Sequence, residues 1–317
     1  MSPWIRPQIG VSSCLIGEPV RFNGGHSRDR FLAGELDEHV DWVPFCPEVE
    51  AGLGTPRETL RLEEGEHGER LMLRKSRVDL TATMREVTDR RIATLEVDGY
   101  VFKSKSPSCG IHGIPVYDAN DHPARRTRGV FAQKIIETYP LLPAEDEGRL
   151  NDAVLREQFV ERIFAHARLR VLFETGWKPR DLVEFHSRHK MQLLAHDPEG
   201  YRAAGRVVSH AGSAPREELE RDYTVAFQSI MSRKSTIGRN VNALHHCLGM
   251  VGHALDDARR ADLVEVIDAY QGHQVAIAVP MTLLLHHAKG EAAEYVQDQT
   301  FFAPFPAELR LRNHVPA

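Results

Sequence analysis

Cys14, Cys46 and Cys109 each stand where a short apolar run gives way to serine, proline or glycine: Gly10-Val11-Ser12-Ser13-Cys14, Val43-Pro44-Phe45-Cys46-Pro47-Glu48, and Lys103 through Gly110. Thiolates are soft ligands, and the number a protein supplies decides what a metal site does. Four close a structural zinc site, whereas three leave a position for water or substrate. No Cys-x-x-Cys pair is present, so these thiols must reach a common metal from separate elements. Such an arrangement suits a cubane iron–sulfur cluster, broad enough to be gripped from three directions. One iron is then free of protein ligands and can act as a Lewis acid. Two plainer readings stand beside this one. Free cysteine is among the most buried residue types, so the three could be small core residues, or they could hold zinc in a non-catalytic binding module. Cys247 differs, because it sits inside the amphipathic helical pattern Asn242 to Met250 and reads as a buried, inert thiol.

The flanking pattern gives the elements that must position the thiols. Residues 7–13, 41–45 and 100–103 read as short strands, each leading to a cysteine. If they are parallel neighbours in one sheet, their C-terminal ends bring the thiols to the edge where open α/β sheets build their sites. Between them, residues 28–39 read as a helix and 46–57 as a loop too rich in Gly and Pro for regular structure. Residues 58–62 and 71–74 could pair as a hairpin across a polar turn. Asp79 or Thr81 caps an amphipathic helix whose apolar positions Met84, Val87, Ile92 and Leu95 recur at helical spacing. Residues 116–120 read as a turn, Arg125 to Arg128 as a basic loop and 130–138 as a helix. This alternation predicts an α/β, Rossmann-like parallel sheet. Residues 140–148 read as a linker, and from residue 151 onward only helical periodicity remains, which predicts an all-α domain. The expected domains are 1–147 and 148–317.

With 317 residues the chain has room for two cores. Its 42% hydrophobic and 27% charged residues exclude a disordered or fibrous class, and four cysteines are too few for a disulfide scaffold. Net charge is −5 and neither half has an excess of Lys and Arg over Asp and Glu, so any nucleic-acid surface has to be a local patch. The apolar run Val275 to Leu285 is too short to span a bilayer. Met1 through Arg6 carries no export signal, and the expectation is a cytoplasmic protein without a membrane partner.

The wording of the motifs goes further. Ser12-Ser-Cys-Leu-Ile-Gly17, Cys46 through Arg57, and Lys105-Ser-Pro-Ser-Cys-Gly110 closely resemble the thiouracil desulfurase family, over roughly residues 8–140 and in the family's order. The resemblance implies a Rossmann-like domain holding a 4Fe–4S cluster on Cys14, Cys46 and Cys109, and removal of sulfur from thiolated pyrimidines. It also points to Glu48 and Ser106 as the catalytic pair. A thiocarbonyl sulfur is a soft donor suited to an open iron, and a carboxylate two residues after a ligand is placed to deprotonate water adding to C4 of the ring. Glu50 is the alternative base, or else a solvated loop carboxylate. Ser106 either contacts the pyrimidine edge, relays a proton, or caps its own Ser-Pro turn. Ser13, Asn23 and Arg57 are weaker candidates for holding the base or tuning the cluster sulfurs. The reaction is hydrolytic and moves no net electron. Short family members often carry a further cysteine after the first motif, where this chain reads Glu18-Pro19-Val20-Arg21-Phe22, so no fourth thiol ligand is expected there.

The second half resembles the YbgA-type helical domain at Phe185 through Lys190, Tyr201 through Arg206, Asn242 through His246, Val279 through Leu285 and Pro304 through Asn313. The fused arrangement is similar to the tRNA 4-thiouridine desulfidases, which implies tRNA as partner. Arg188, Lys190 and Arg206, with Arg202 nearby, could form a basic face that grips phosphates, extended by Arg125, Arg126 and Arg128. A solvated charged face is the plainer reading. His186, His189, His245, His246, His286 and His287 follow no zinc pattern and read as structural. The same chemistry on free thiouracil or a thionucleoside remains the nearest alternative.

Overall fold

A computed structural model describes residues 4–66, 68–291 and 293–315. The chain divides into two compact units, Arg6–Leu155 and Arg156–Ala317, the second also including Met1–Ile5. In the first unit, β1 (Gln8–Ser12), β2 (Asp41–Phe45), β5 (Gly99–Phe102) and β8 (Ala144–Asp146) form one sheet. Its order is β2-β1-β5-β8, and every pairing is parallel. β1 therefore lies between the two strands that lead to the other cysteines. Successive side chains alternate across a strand, so the buried Ile9 and Val11 lie opposite Gly10. Gly10 faces Tyr100 of β5 in register, and a Cβ there would fall 2.2 Å from the tyrosine ring. Glycine lets that ring lie across the strand.

The parallel sheet is smaller than expected, because the middle of the unit builds a sheet of its own. β3 (Leu60–Gly65) and β4 (Gly68–Leu73) make the expected antiparallel hairpin. β6 (Ile114–Tyr117) then joins β3 in parallel, and β7 (Pro123–Thr127) pairs antiparallel with β6. The expected basic loop at 125–128 is thus largely strand, while the expected turn at 116–120 is present after the last two residues of β6, closed by the Asp121 N–H on the Asp118 carbonyl at 3.2 Å: a four-residue strand with alternating burial is too short to announce its period. Three further expectations are corrected. A helical turn, α1 (Pro47–Glu50), follows Cys46 directly, with Pro47 at the first helical position, where its missing N–H is harmless. The expected helix over 28–39 is shorter and not regular α-helix: a π-helical stretch, Phe31–Leu36, kinked at Ala33, runs into a 3-10 turn, Asp37–His39. The stretch expected as a linker contains β8, the edge strand of the parallel sheet. The capped helix is present as α2 (Thr81–Ile92), where Asp79 Oδ1 accepts from the Thr81 N–H at 2.9 Å, and α3 (Val130–Thr138) follows β7. Phe131, Ala132 and Ile135 of α3 pack with Tyr100, Phe102 and Leu95 into an apolar layer that includes Cys109.

Past residue 153 the described elements are helical. They are α4 (Ala153–Glu174), α5 (Pro179–Arg188), α6 (Lys190–His196), α7 (Pro198–Val208), α8 (Arg216–Ser232), α9 (Ile237–Val251), α10 (Asp257–Gln271), α11 (Ala278–Gly290) and α12 (Glu294–Gln297). Among the described residues, one apolar cluster is centred on α4, α7 and α8 and another on α6, α9, α10 and α11. Glu161 is buried beside His196, Gln192 and Arg312. Burial alone would raise its pKa, but the charges of His196 and Arg312 and the Gln192 amide hold it down at about 2. His186 and His189 are buried, bonded to the Tyr223 hydroxyl and the Phe185 carbonyl. Cys247 is fully buried, its thiol pushed up to about 12 by desolvation.

Candidate metal centre

Parallel pairing of β1 with β2 and β5 aligns their C-terminal ends, and each strand hands the chain to a cysteine within a few residues. Cys14 lies in the turn Ser13–Leu15 after β1, Cys46 caps α1 directly after β2, and Cys109 ends the loop that follows β5. All three line one cavity of about 320 Å³ together with Ser13, Glu48, Arg57, Lys103 and Ser106. Ser12 ties two strand ends together: its Oγ accepts from the Lys103 N–H at 2.9 Å, and its side chain also reaches the Cys109 thiol.

The Cys109 loop is fastened by α3. The first N–H groups of a helix have no partner within it. Here Val130 N–H donates to the Pro107 carbonyl at 3.1 Å and Phe131 N–H to the Ser108 carbonyl at 3.0 Å. Gly129 makes this approach possible, because a Cβ at that position would fall 2.5 Å from the Ser108 carbonyl. Ser106 Oγ accepts from the N–H groups of Ser108 (3.2 Å) and Cys109 (3.1 Å). Its hydroxyl therefore shapes the turn while its side chain borders the cavity.

Burial dominates the electrostatics of the thiols. Desolvation pushes Cys14 up to about 11 and Cys109 well above the ordinary thiol range. Cys46 is also raised by burial, although the N–H groups of Val49 and Glu48 aimed at its sulfur lower it in part. A cation among these thiols would offset the cost of burying their thiolates, and three soft donors around one cavity, two buried and Cys46 half-buried, fit an iron–sulfur group. The sulfurs do not close on a single point. Among the described residues, the group of three ligand atoms lying within 4.8 Å of one another is His112, Glu145 and Asp146, without a thiol.

Glu48 is held at both oxygens. Ser108 Oγ donates to Oε1 at 2.9 Å, while Arg57 reaches Oε2 with Nε at 2.9 Å and Nη2 at 2.5 Å. Arg57 also donates to the Val20 carbonyl at 2.8 Å and to the Gly54 carbonyl at 3.3 Å. Its guanidinium is committed to the protein, so it positions the carboxylate and is not free to grip a base. Asn23 Oδ1 accepts from the Gly25 N–H at 3.1 Å in an exposed turn, and neither Asn23 nor Glu50 lines the cavity. Arg125 pairs with Glu69 at 2.6 Å, Arg126 donates to the Gly113 carbonyl at 3.2 Å, and Arg128 lines a second cavity beside α2 and α3. In the helical unit Arg188 pairs with Glu184 at 2.9 Å, Lys190 is half-buried and Arg206 is exposed.

The sequence reading missed Ser108, Lys103 and Glu147 as site residues. Lys103 lies beside Cys14, where its charge lowers the thiol pKa against burial. It is paired with Glu147, which also accepts from the Ser104 N–H and Oγ at 2.8 and 2.6 Å. Burial would raise the Glu147 pKa, but the Lys103 and Ser104 bonds overcome this and hold it below its ordinary value. Ser108 stands in the third motif, but its partner is 60 residues away. Glu147 was lost in the supposed linker.

Comparison with known proteins gives this arrangement a family. The model of the 2-thiouracil desulfurase family matches residues 9–147, the whole stretch that carries the three cysteines, Glu48 and Ser106. The Bacillus subtilis (strain 168) protein YbbK is 32% identical over 110 residues, covering 32% of this chain and 72% of its own. The chain belongs to the 2-thiouracil desulfurase family. A second model, for a family of unknown function (DUF1722), matches residues 190–306. Escherichia coli (strain K12) YbgA is 26% identical over 153 residues, 48% of this chain and 90% of its own. A solved structure of the [4Fe-4S]-dependent thiouracil desulfidase TudS aligns at 26% identity and a TM-score of 0.37, over 46% of this chain and 94% of that one. This desulfurase-family chain thus joins a desulfurase half to a helical half that has relatives of its own. Among the described residues no helix is long and apolar enough to cross a membrane.

Proposed function

We propose that this chain is a desulfidase that hydrolyses the C–S bond of 4-thiouridine in tRNA, leaving uridine and hydrosulfide. The observation that carries the desulfidase reading is the cavity at the strand ends, where three thiols, two of them buried, share the lining with a carboxylate held at both oxygens. A 4Fe–4S cluster on Cys14, Cys46 and Cys109 would supply a soft Lewis acid to the thiocarbonyl sulfur. The remaining work falls to the chain. Glu48 takes the proton from water as it adds to C4. Arg57 and Ser108 fix the carboxylate so that one oxygen does not swing away. Ser106 sets the turn carrying Cys109 and borders the ring. Lys103, anchored by Glu147, keeps positive charge at the edge where sulfur departs. Water supplies the oxygen and both protons, sulfur leaves as hydrosulfide with one proton to solvent, and no electron is exchanged.

The tRNA part rests on the helical unit, an addition with no use in a pocket enzyme for a free base. Its basic residues Arg188, Lys190, Arg202 and Arg206 are the candidate phosphate contacts, and thiouridine would have to be extruded from its stack to reach C4. The family's description favours a second reading, free thiouracil or a thionucleoside as substrate. The test is hydrosulfide release by anaerobically reconstituted protein from thiolated tRNA and from free 4-thiouracil. Glu48→Gln should lower kcat by about 10²–10⁴-fold while the brown cluster absorption is kept, and Cys46→Ala should lose both. Release from tRNA in large preference to the free base supports the proposal. Equal or inverted preference supports the second reading. A full cluster with no release from either substrate refutes the desulfidase.

A further inference from the structure

We propose that Phe22 is the platform on which the substrate's thiopyrimidine ring stacks, with Arg21 backing the phenyl ring on its other face. The inference deepens the desulfidase reading and rests on it. Phe22 borders the three-cysteine cavity and is nevertheless 40% exposed. Among the described residues, the other large hydrophobics this exposed are valines, one methionine and Tyr295. A phenyl ring that both borders the cavity and stays open to solvent offers an aromatic face to a molecule entering there.

Three features argue for a flat, neutral ring as the occupant. The Arg21 guanidinium lies over the Phe22 ring at 5.7 Å from its centroid, and both side chains border the cavity, so a cation–π contact takes one face of the ring and a base would stack on the other. The loop is held in place: Arg57 N–H donates to the Phe22 carbonyl at 2.7 Å, and Arg21 N–H donates to the Gly25 carbonyl at 3.1 Å. Finally, the Arg57 that fixes the Phe22 backbone also fixes Glu48. The platform and the general base are therefore referenced to one residue, which is what placing C4 against the carboxylate requires. Stacking on an aromatic face tolerates every base, so Phe22 adds affinity, and the sulfur and the cavity walls choose the ring.

The experiment compares reconstituted wild type with Phe22→Ala, Phe22→Leu and Phe22→Trp on 4-thiouridine. Stacking predicts a fall of about tenfold or more in kcat/KM for Phe22→Ala, expressed in KM. Phe22→Leu, which keeps apolar bulk without a π-face, should fall nearly as far, and Phe22→Trp should retain wild-type KM. Competitive inhibition by uridine, which lacks the sulfur, should weaken by the same factor in Phe22→Ala. As a readout independent of turnover, uridine should quench the added indole of Phe22→Trp, in protein without a cluster, beyond any quenching of wild type. An unchanged KM in Phe22→Ala, full rescue by Phe22→Leu, or no extra quenching overturns the proposal. If wild type turns over neither thiolated tRNA nor free 4-thiouridine, the desulfidase reading fails separately, and the quenching result still decides the role of Phe22.

Discussion

Ser108 is buried completely, yet its hydroxyl points across 60 residues of chain to Glu48. Removing it leaves a carboxylate oxygen without its partner in a partly closed site, so Ser108→Ala should lower kcat by about tenfold, on the scale of one lost hydrogen bond to a charged group. Cluster absorption should be unchanged, and Ser108→Thr should restore part of the rate. Lys103 and Glu147 invite a second experiment. Lys103→Met leaves Glu147 as an uncompensated, partly buried carboxylate beside Cys14, whereas the pair Lys103→Met with Glu147→Gln removes both charges. The double variant should be more thermally stable than Lys103→Met alone, and a double variant less stable than either single would show that the pair is not coupled. At this scale the gathering of the cysteines and Glu48 around one cavity was legible because each sits inside a motif whose wording is specific. Ser108 and Glu147 were not, because their meaning lies in partners far away in sequence.

Between residue and domain, the decisive element is α3, whose first turn donates its otherwise unpaired N–H groups to the loop carrying Cys109. Gly129→Ala would drive a methyl group into the Ser108 carbonyl. The variant should assemble visibly less cluster per chain under identical reconstitution, read as absorbance near 400 nm against protein, with the helical content of the second unit intact. Normal cluster loading would show that the loop can retreat. Strands β1, β2 and β5 were readable because apolar alternation ended at a cysteine each time. β6, β7 and β8 were not, for a physical reason. Three to five residues hold at most two turns of a two-residue period, and Arg125, Arg126 and the acidic run Glu145 to Glu147 look like loop composition until their pairing partners are known.

On the scale of the whole chain, the two units should respond differently to acid. Burial depresses His186 to about 4 and His189 well below its ordinary value, so both stay neutral in the folded helical unit. An unfolded histidine protonates near 6.5, so the stability tied to this difference is complete above pH 6.5 and is lost as pH falls toward 4. For His186 this amounts to on the order of 3 kcal/mol. Helical circular dichroism in thermal melts should show the second unit weakening between pH 6.5 and 4.5. His186→Phe should be less stable at pH 7, through loss of the Tyr223 hydrogen bond, but should have a flatter slope over that interval. An unchanged slope would mean that His186 is not the titrating group. Two units and an α/β-to-α change were visible in the sequence as the end of strand patterning. The assignment of the first residues to the second unit was invisible, since nothing local distinguishes them.

That assignment has a practical side and a biosynthetic one. Trp4 sits edge-on to Phe164 with ring centroids 6.2 Å apart, so Trp4 belongs with a helix made more than 150 residues later. The desulfurase unit is an insertion between Ile5 and Arg156. On the ribosome it can fold as soon as it emerges, while the leading segment waits for its partner. A change at Trp4 would therefore be felt first in the helical unit, although the residues that follow it in sequence build the desulfurase unit.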